Sequence, residues 1–131
     1  MTDILRDALI LMTLLQVKHM FADFFMQTPR MLAGRDAYAH LGRAQHAAIH
    51  AAGSVIAYLV VGSPLMVLIW IVLAEWVAHY HIDWAKGRYS DSVGHTPADP
   101  GYWRAFGFDQ LLHQLTYVAM VWAWLAYGAS G

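Results

Sequence analysis

The sequence contains no cysteine, which excludes disulfide bonds, thiolate metal sites, iron–sulfur clusters and cysteine nucleophiles. Charged residues are scarce, at 13% of the 131 residues, and the net charge of −1 lacks the basic excess of a nucleic-acid-binding protein. We therefore expect no nucleic-acid partner, and any metal ion must be held by nitrogen and oxygen atoms. The N-terminal stretch has acidic residues beside Arg6 and no small-residue cleavage site, so we expect no removable signal peptide.

Apolar side chains are abundant, since 59% of the residues are hydrophobic and the mean hydropathy is +0.40. Four stretches are long and apolar enough to cross a bilayer, at about residues 4–27, 41–61, 64–85 and 104–127. The sequence thus predicts an all-α, integral membrane four-helix up-down bundle that forms a single domain over residues 1–131. A soluble helical protein with a very apolar core is the alternative.

Basic residues surround the first and third predicted loops and are absent from the second loop. They are Arg30, Arg35, Arg43, Lys86, Arg88 and Arg104. Because basic residues are retained on the cytoplasmic side of membranes, we expect the first and third loops to be cytoplasmic and both termini to lie outside.

Each predicted span carries two ionisable residues one helical turn apart, and residues four apart share a helix face. The pairs are His19 and Asp23, His46 and His50, His79 and Asp83, and Asp109 and His113. Up-down topology would bring all eight into one polar layer near the cytoplasmic side. Because a charged group inside a bilayer costs roughly 2.5 to 3.5 kcal/mol on insertion scales, such a layer indicates a function.

The layer predicts a site for one or two divalent metal ions, with zinc, iron or manganese as the candidates for these nitrogen and oxygen donors. The expected ligands are His19, Asp23, His46, His50, His79, Asp83, Asp109 and His113. Glu75 and Asp109 are the expected catalytic carboxylates. Residues expected to support the ligands or contact a substrate are Gln27, Arg43, Lys86, Arg88 and Gln110. A purely structural network of His–Asp pairs is the alternative.

The segments "HMFADFFMQ", "HAAIH", "HYHIDWAKGRY" and "FDQLLHQL" resemble the bacterial membrane family known as domain of unknown function 3307, over nearly the whole chain. The resemblance implies a bacterial inner membrane protein but no particular reaction. In the first loop, Arg30 and Arg35 stand where family members often have a lysine. The family pattern falls on His19, Asp23, Gln27, His46, His50, His79, Asp83, Lys86, Asp109, Gln110 and His113.

A looser similarity to membrane-bound metal-dependent hydrolases, which are also small helical proteins rich in His and Asp, favours hydrolysis. The leading hypothesis is a metal-dependent hydrolase acting on a membrane lipid or lipid-linked substrate, although the sequence leaves open whether the protein is an enzyme. A di-iron oxidase is one alternative. The other is a non-catalytic protein: an ion or metal carrier, or an accessory subunit of a larger membrane complex. Partners would be lipid and either that complex or a second copy of the chain.

Overall fold

The computed structural model describes residues 2–129 and consists of five helices, with no strand in that range. The all-α prediction is therefore confirmed. The helices are α1 (Asp3–Phe24), α2 (Pro29–Leu32), α3 (Leu41–Val60), α4 (Leu65–Val93) and α5 (Pro100–Tyr127).

The four long helices pack in a ring, in which α1 and α4 each contact both α3 and α5. The turn between α3 and α4 is short, so these two helices run antiparallel. The short helix α2 packs against the beginning of α3. Gly42 permits this approach, because a Cβ at its position would lie 2.8 Å from the carbonyl oxygen of Arg30.

Helices α4 and α5 extend beyond the predicted ends, to a glycine that follows α4 and a proline that begins α5. Helix α4 continues past the predicted end near residue 85 to Val93, and Gly94 then takes a φ of +63°, the left-handed conformation that commonly ends helices. Helix α5 begins at Pro100, earlier than predicted, with proline in its first turn. Just before it, Asp99 accepts hydrogen bonds from the backbone and hydroxyl of Thr96, which lower the pKa of its carboxyl group.

The first predicted span and loop also change. Helix α1 ends at Phe24, and the chain then forms the unpredicted helix α2. Thr28 accepts a hydrogen bond from the backbone N–H of Met31 and Pro29 occupies the first turn, which together explain why a helix starts there.

Among the described helices, α4 alone is long and apolar enough to cross a membrane by length and composition. By this criterion, only one of the four predicted spans qualifies among the described helices. The integral membrane bundle stays a prediction.

The interior of the bundle is divided into an apolar half and a polar half. Near the α3–α4 turn the core is apolar and includes Leu15, Tyr58 and Leu68, and the Tyr58 hydroxyl donates to the Met120 carbonyl at 3.0 Å. The other half is filled by buried His, Asp and Glu side chains. The exterior is largely apolar, with Trp70 and Trp122 both 67% exposed.

Candidate metal centre

Five imidazole rings from all four long helices meet in the polar half of the bundle. His19 lies on α1, His46 and His50 on α3, His79 on α4 and His113 on α5, and none is more than 4% exposed. The centroids of His50 and His79 are 3.9 Å apart, and those of His79 and His113 are 4.3 Å apart. The structure thus brings the predicted histidines into one cluster.

Asp23 of α1 bridges three of these rings. Its Oδ1 lies 3.0 Å from Nε2 of His50 and 3.2 Å from Nε2 of His46. Its Oδ2 lies 3.2 Å from Nε2 of His19 and accepts a hydrogen bond from the side-chain amide of Gln110 at 3.3 Å. Asp23 therefore joins α1 to α3 and α5.

Asp83 of α4 occupies the equivalent place on the opposite side of the cluster. Its Oδ2 lies 3.3 Å from Nε2 of His79 and 3.7 Å from Nε2 of His46. Its Oδ1 lies 3.6 Å from Nε2 of His113. Each of the two aspartates thus faces three imidazoles.

Two sets of ligand atoms are close enough to hold an ion. One set comprises Asp23, His46, His50 and His79, and the other comprises His79, Asp83 and His113; within each set the ligand atoms lie within 4.8 Å of one another. His79 belongs to both sets, so two ions would have to share its ring. The nitrogen and oxygen donors suit zinc, iron or manganese.

Two predicted ligands lie at the edge of the cluster and belong to neither set. Both ring nitrogens of His19 are engaged, Nδ1 with the Tyr117 hydroxyl at 2.8 Å and Nε2 with Oε1 of Gln110 at 3.0 Å. Asp109 places Oδ2 3.3 Å from Nζ of Lys86. Its buried Oδ1 has no hydrogen-bond partner among residues 2–129.

A polar pocket of about 70 Å³ opens beside the cluster. It is lined by carboxylates from three helices, together with cationic and amide side chains. Its polar lining consists of Asp23, Gln27, Arg35, Arg43, His46, Asp83, Lys86, Asp109 and Gln110. Four of the five predicted supporting residues therefore line this pocket. Arg88, the fifth, is exposed and lies outside its lining.

Arg43, predicted to support the ligands or contact a substrate, also holds the first loop in place. Its guanidinium donates hydrogen bonds to the carbonyls of Arg35, Ala37 and Tyr38, and the residue is 2% exposed. It holds the loop against the start of α3 and thereby shapes the rim of the pocket.

Glu75, predicted as a catalytic carboxylate, lies deeper in the bundle and is not part of the pocket lining. It forms a buried ion pair with Lys18, which also donates to the His50 carbonyl at 3.1 Å. Lys18 and Tyr117 also contact this cluster but were not predicted as site residues. Tyr117 follows His113 by four residues, so the same spacing indicates it, whereas Lys18 lies off the polar face of α1 and enters through its long side chain.

Residues 10–130 match the family described as "Protein of unknown function (DUF3307)". The matched range includes every side chain in the two ligand sets and in the pocket. Comparison with curated proteins and with solved structures finds no match. Because the family match extends over nearly the whole sequence, the chain belongs to the DUF3307 family.

Proposed function

We propose that this protein is a metal-dependent integral membrane hydrolase that acts on a lipid or lipid-linked substrate. The observation that carries the proposal is the pair of ligand sets around His79, buried between the helices and adjoining a pocket with cationic side chains.

Unpaired ring nitrogens support a metal ion in preference to a purely structural His–Asp network. Nε2 of His79 and Nε2 of His113 are buried and have no hydrogen-bond partner within the described range. The nitrogen of His79 lies 3.3 Å from Asp83, but without the alignment of a hydrogen bond. Leaving a buried polar atom unsatisfied costs about 1 to 3 kcal/mol, and a bound cation would remove that cost.

A divalent cation in this cluster would polarise the substrate and lower the pKa of a water molecule to near neutrality. Asp109 lines the pocket with a buried oxygen that has no hydrogen-bond partner among the described residues, and this oxygen would take the proton of that water. The water oxygen would add to the carbonyl or phosphoryl centre as the bond to the leaving oxygen breaks, and Asp109 would return the proton to that oxygen. Arg35 and Lys86 would attract an anionic headgroup.

The distribution of polarity supports a bilayer as the environment. Large apolar side chains such as Phe25, Leu59 and Met66 are each more than 60% exposed, whereas ionisable groups fill the interior. Extended exposed apolar surface is unusual in soluble monomers, and intramembrane ionisable groups normally face the interior of a bundle. The distribution of basic residues favours an orientation with the pocket at the cytoplasmic face and both termini outside. The resemblance to the DUF3307 family favours a bacterial inner membrane as the location.

The alternative functions, a carrier, an oxidase or an accessory subunit, each require a different property of the protein. A carrier needs a polar path to both faces, but the half of the bundle near the α3–α4 turn has an apolar core. An oxidase requires iron and consumes oxygen. An accessory subunit would copurify with a larger membrane complex and hold no metal ion.

Elemental analysis of the detergent-purified protein tests the metal site directly. We expect one or two equivalents of zinc, iron or manganese, lost in His79→Ala because His79 belongs to both ligand sets. His81→Ala is the matched control, since His81 is an exposed histidine on the same helix. Folded wild-type protein that contains no metal and takes none up would contradict the proposal and favour the accessory subunit.

Hydrolysis can be followed in vesicles of anionic phospholipid prepared in ¹⁸O-labelled water. We expect ¹⁸O in the released product, and no turnover in Asp109→Asn, which should retain its metal because Asp109 belongs to neither ligand set. Asp91→Asn, at an exposed position of α4, is the control. Oxygen consumption by iron-loaded protein without ¹⁸O transfer from water would identify an oxidase instead.

The absence of cysteine makes the membrane topology simple to test with single-cysteine variants. Ser92→Cys lies at the pocket end of the bundle and Pro64→Cys at the α3–α4 turn, and both positions are exposed. A membrane-impermeant maleimide should label Ser92→Cys in inverted vesicles and Pro64→Cys in right-side-out vesicles. Labelling of both from the same side would contradict a bundle that spans the membrane.

A further inference from the structure

A second cavity, of about 470 Å³, forms a groove on the outer surface between α4 and α5. Its walls are mainly apolar and include Ile82 and Ala85 from α4, and Phe108 and Leu112 from α5. Phe108 and Leu112 are exposed, so the groove opens sideways, towards the surface that would face lipid in the proposed orientation.

The groove and the polar pocket share two residues, Lys86 and Asp109. Nζ of Lys86 lies 3.3 Å from Oδ2 of Asp109, so a single ion pair stands between the apolar groove and the pocket beside the candidate metal ligands. Arg104 also lines the groove; it is exposed and forms no ion pair within residues 2–129.

We propose that this groove receives a hydrocarbon chain of an anionic lipid substrate, whose headgroup contacts Arg104 and Lys86 and enters the pocket past the Lys86–Asp109 ion pair. The inference rests on the proposed function and names its substrate class and its route of entry. The apolar walls match a hydrocarbon chain, and the two cations at the edge of the groove match a negatively charged headgroup.

Charge, rather than chain burial, determines the lipid preference in this arrangement. A chain that moves from bilayer to groove exchanges one apolar environment for another, so its transfer contributes little. A basic residue in contact with the headgroup favours an anionic lipid by about fivefold in affinity. The groove instead fixes the position of the headgroup relative to the metal ligands, which is how orientation promotes a reaction.

Entry of the headgroup also has a consequence for Asp109. An anionic group that binds Lys86 competes with the carboxylate of Asp109, which is 3.3 Å from the same ammonium group. Substrate binding would therefore release Asp109 from its ion pair at the moment when the proposed reaction needs it to accept a proton.

Photo-crosslinking tests the groove in the full-length protein. The probe is phosphatidic acid with a diazirine in its acyl chain, diluted into phosphatidylcholine nanodiscs, and the labelled peptides are mapped by mass spectrometry. We expect labelling concentrated in residues 82–89 and 104–112, and lost in Ala105→Trp, where the indole fills the groove. Ala126→Trp, at an exposed position of the same helix far from the groove, should label like the wild type.

The charge component is tested with the corresponding phosphatidylcholine probe. Arg104→Gln should lower the preference for the anionic probe by about fivefold. Arg30→Gln should leave it unchanged, because Arg30 is exposed outside both cavities. Free glycerol phosphate should fail to displace the probe. Displacement by glycerol phosphate, labelling spread over all helices, or labelling unaffected by Ala105→Trp would each overturn the inference.

The outcomes separate this inference from the proposed function. Groove labelling that persists in a protein without metal or hydrolytic activity supports the lipid site and contradicts the hydrolase. Metal binding and hydrolysis that are unaffected by Ala105→Trp support the hydrolase and overturn the lipid site.

Discussion

The buried ion pair between Lys18 and Glu75 gives a stability prediction whose magnitude follows from the structure. The Lys18 side chain is 11% exposed and that of Glu75 is 1% exposed. Replacing Lys18 with methionine keeps the length of the side chain but leaves Glu75 without its cation. Removal of one partner from a buried ion pair costs about 3 to 5 kcal/mol, and the slight exposure of Lys18 places Lys18→Met near the lower limit.

The double substitution Lys18→Met and Glu75→Met should behave differently from either single change. It replaces both charges with apolar groups of similar length, and such replacements are commonly neutral or stabilising. We therefore expect the double variant to be at most about 1 kcal/mol less stable than the wild type, or more stable, so that the single effects are strongly non-additive.

Reversible unfolding in mixed micelles, with an increasing fraction of sodium dodecyl sulfate, measures these free energies through far-UV circular dichroism. Arg88→Met, at an exposed position of α4, is the control and should lie within about 0.5 kcal/mol of the wild type. A cost below about 1 kcal/mol for Lys18→Met, as for a solvated surface pair, would refute the reasoning. Additive effects in the double variant would refute it equally.

The same unfolding assay tests two further features. Gly87→Ala should destabilise the protein by about 1 to 3 kcal/mol, because the new Cβ would lie 2.7 Å from the carbonyl oxygen of Arg35. At Gly107 a Cβ would meet nothing within 4 Å, so Gly107→Ala should instead raise the free energy of unfolding by up to about 1 kcal/mol. Equal changes in stability for the two substitutions would contradict the close approach at Gly87. Tyr58→Phe should cost about 1 kcal/mol through the lost hydrogen bond to Met120, and no measurable change would argue against that bond.

Helical periodicity explains why much of the candidate site could be deduced from the sequence. Residues four apart share a face, so the spacing of His46 and His50 or of His79 and Asp83 determines which side of each helix is polar. Alternating helix directions then place the end of one helix beside the start of the next. The cluster seen in the structure follows from these two regularities.

Features that depend on long side chains or on capping were not deduced. The ammonium group of Lys18 reaches α4 from a position off the polar face, and no spacing rule indicates that. The three carbonyl contacts of Arg43 depend on the path of the first loop, which contains the unpredicted helix α2. Helix α4 extends beyond its apolar segment and ends only where Gly94 takes the left-handed conformation. A hydropathy profile records only the apolar segment.

Among the described helices, only α4 is apolar enough to cross a membrane by itself. This affects how the other helices of the proposed bundle would insert into the bilayer. Helix α1 carries Lys18, His19 and Asp23, and on insertion scales a charged residue at the centre of a lone helix costs about 2.5 to 3.5 kcal/mol. Much of that cost disappears once Glu75 and the histidines of α3 are present as partners. Insertion of α1 would therefore be coupled to folding of the bundle around α4, and variants that remove the partners of Lys18 and Asp23 should lower the fraction of α1 that inserts into the bilayer.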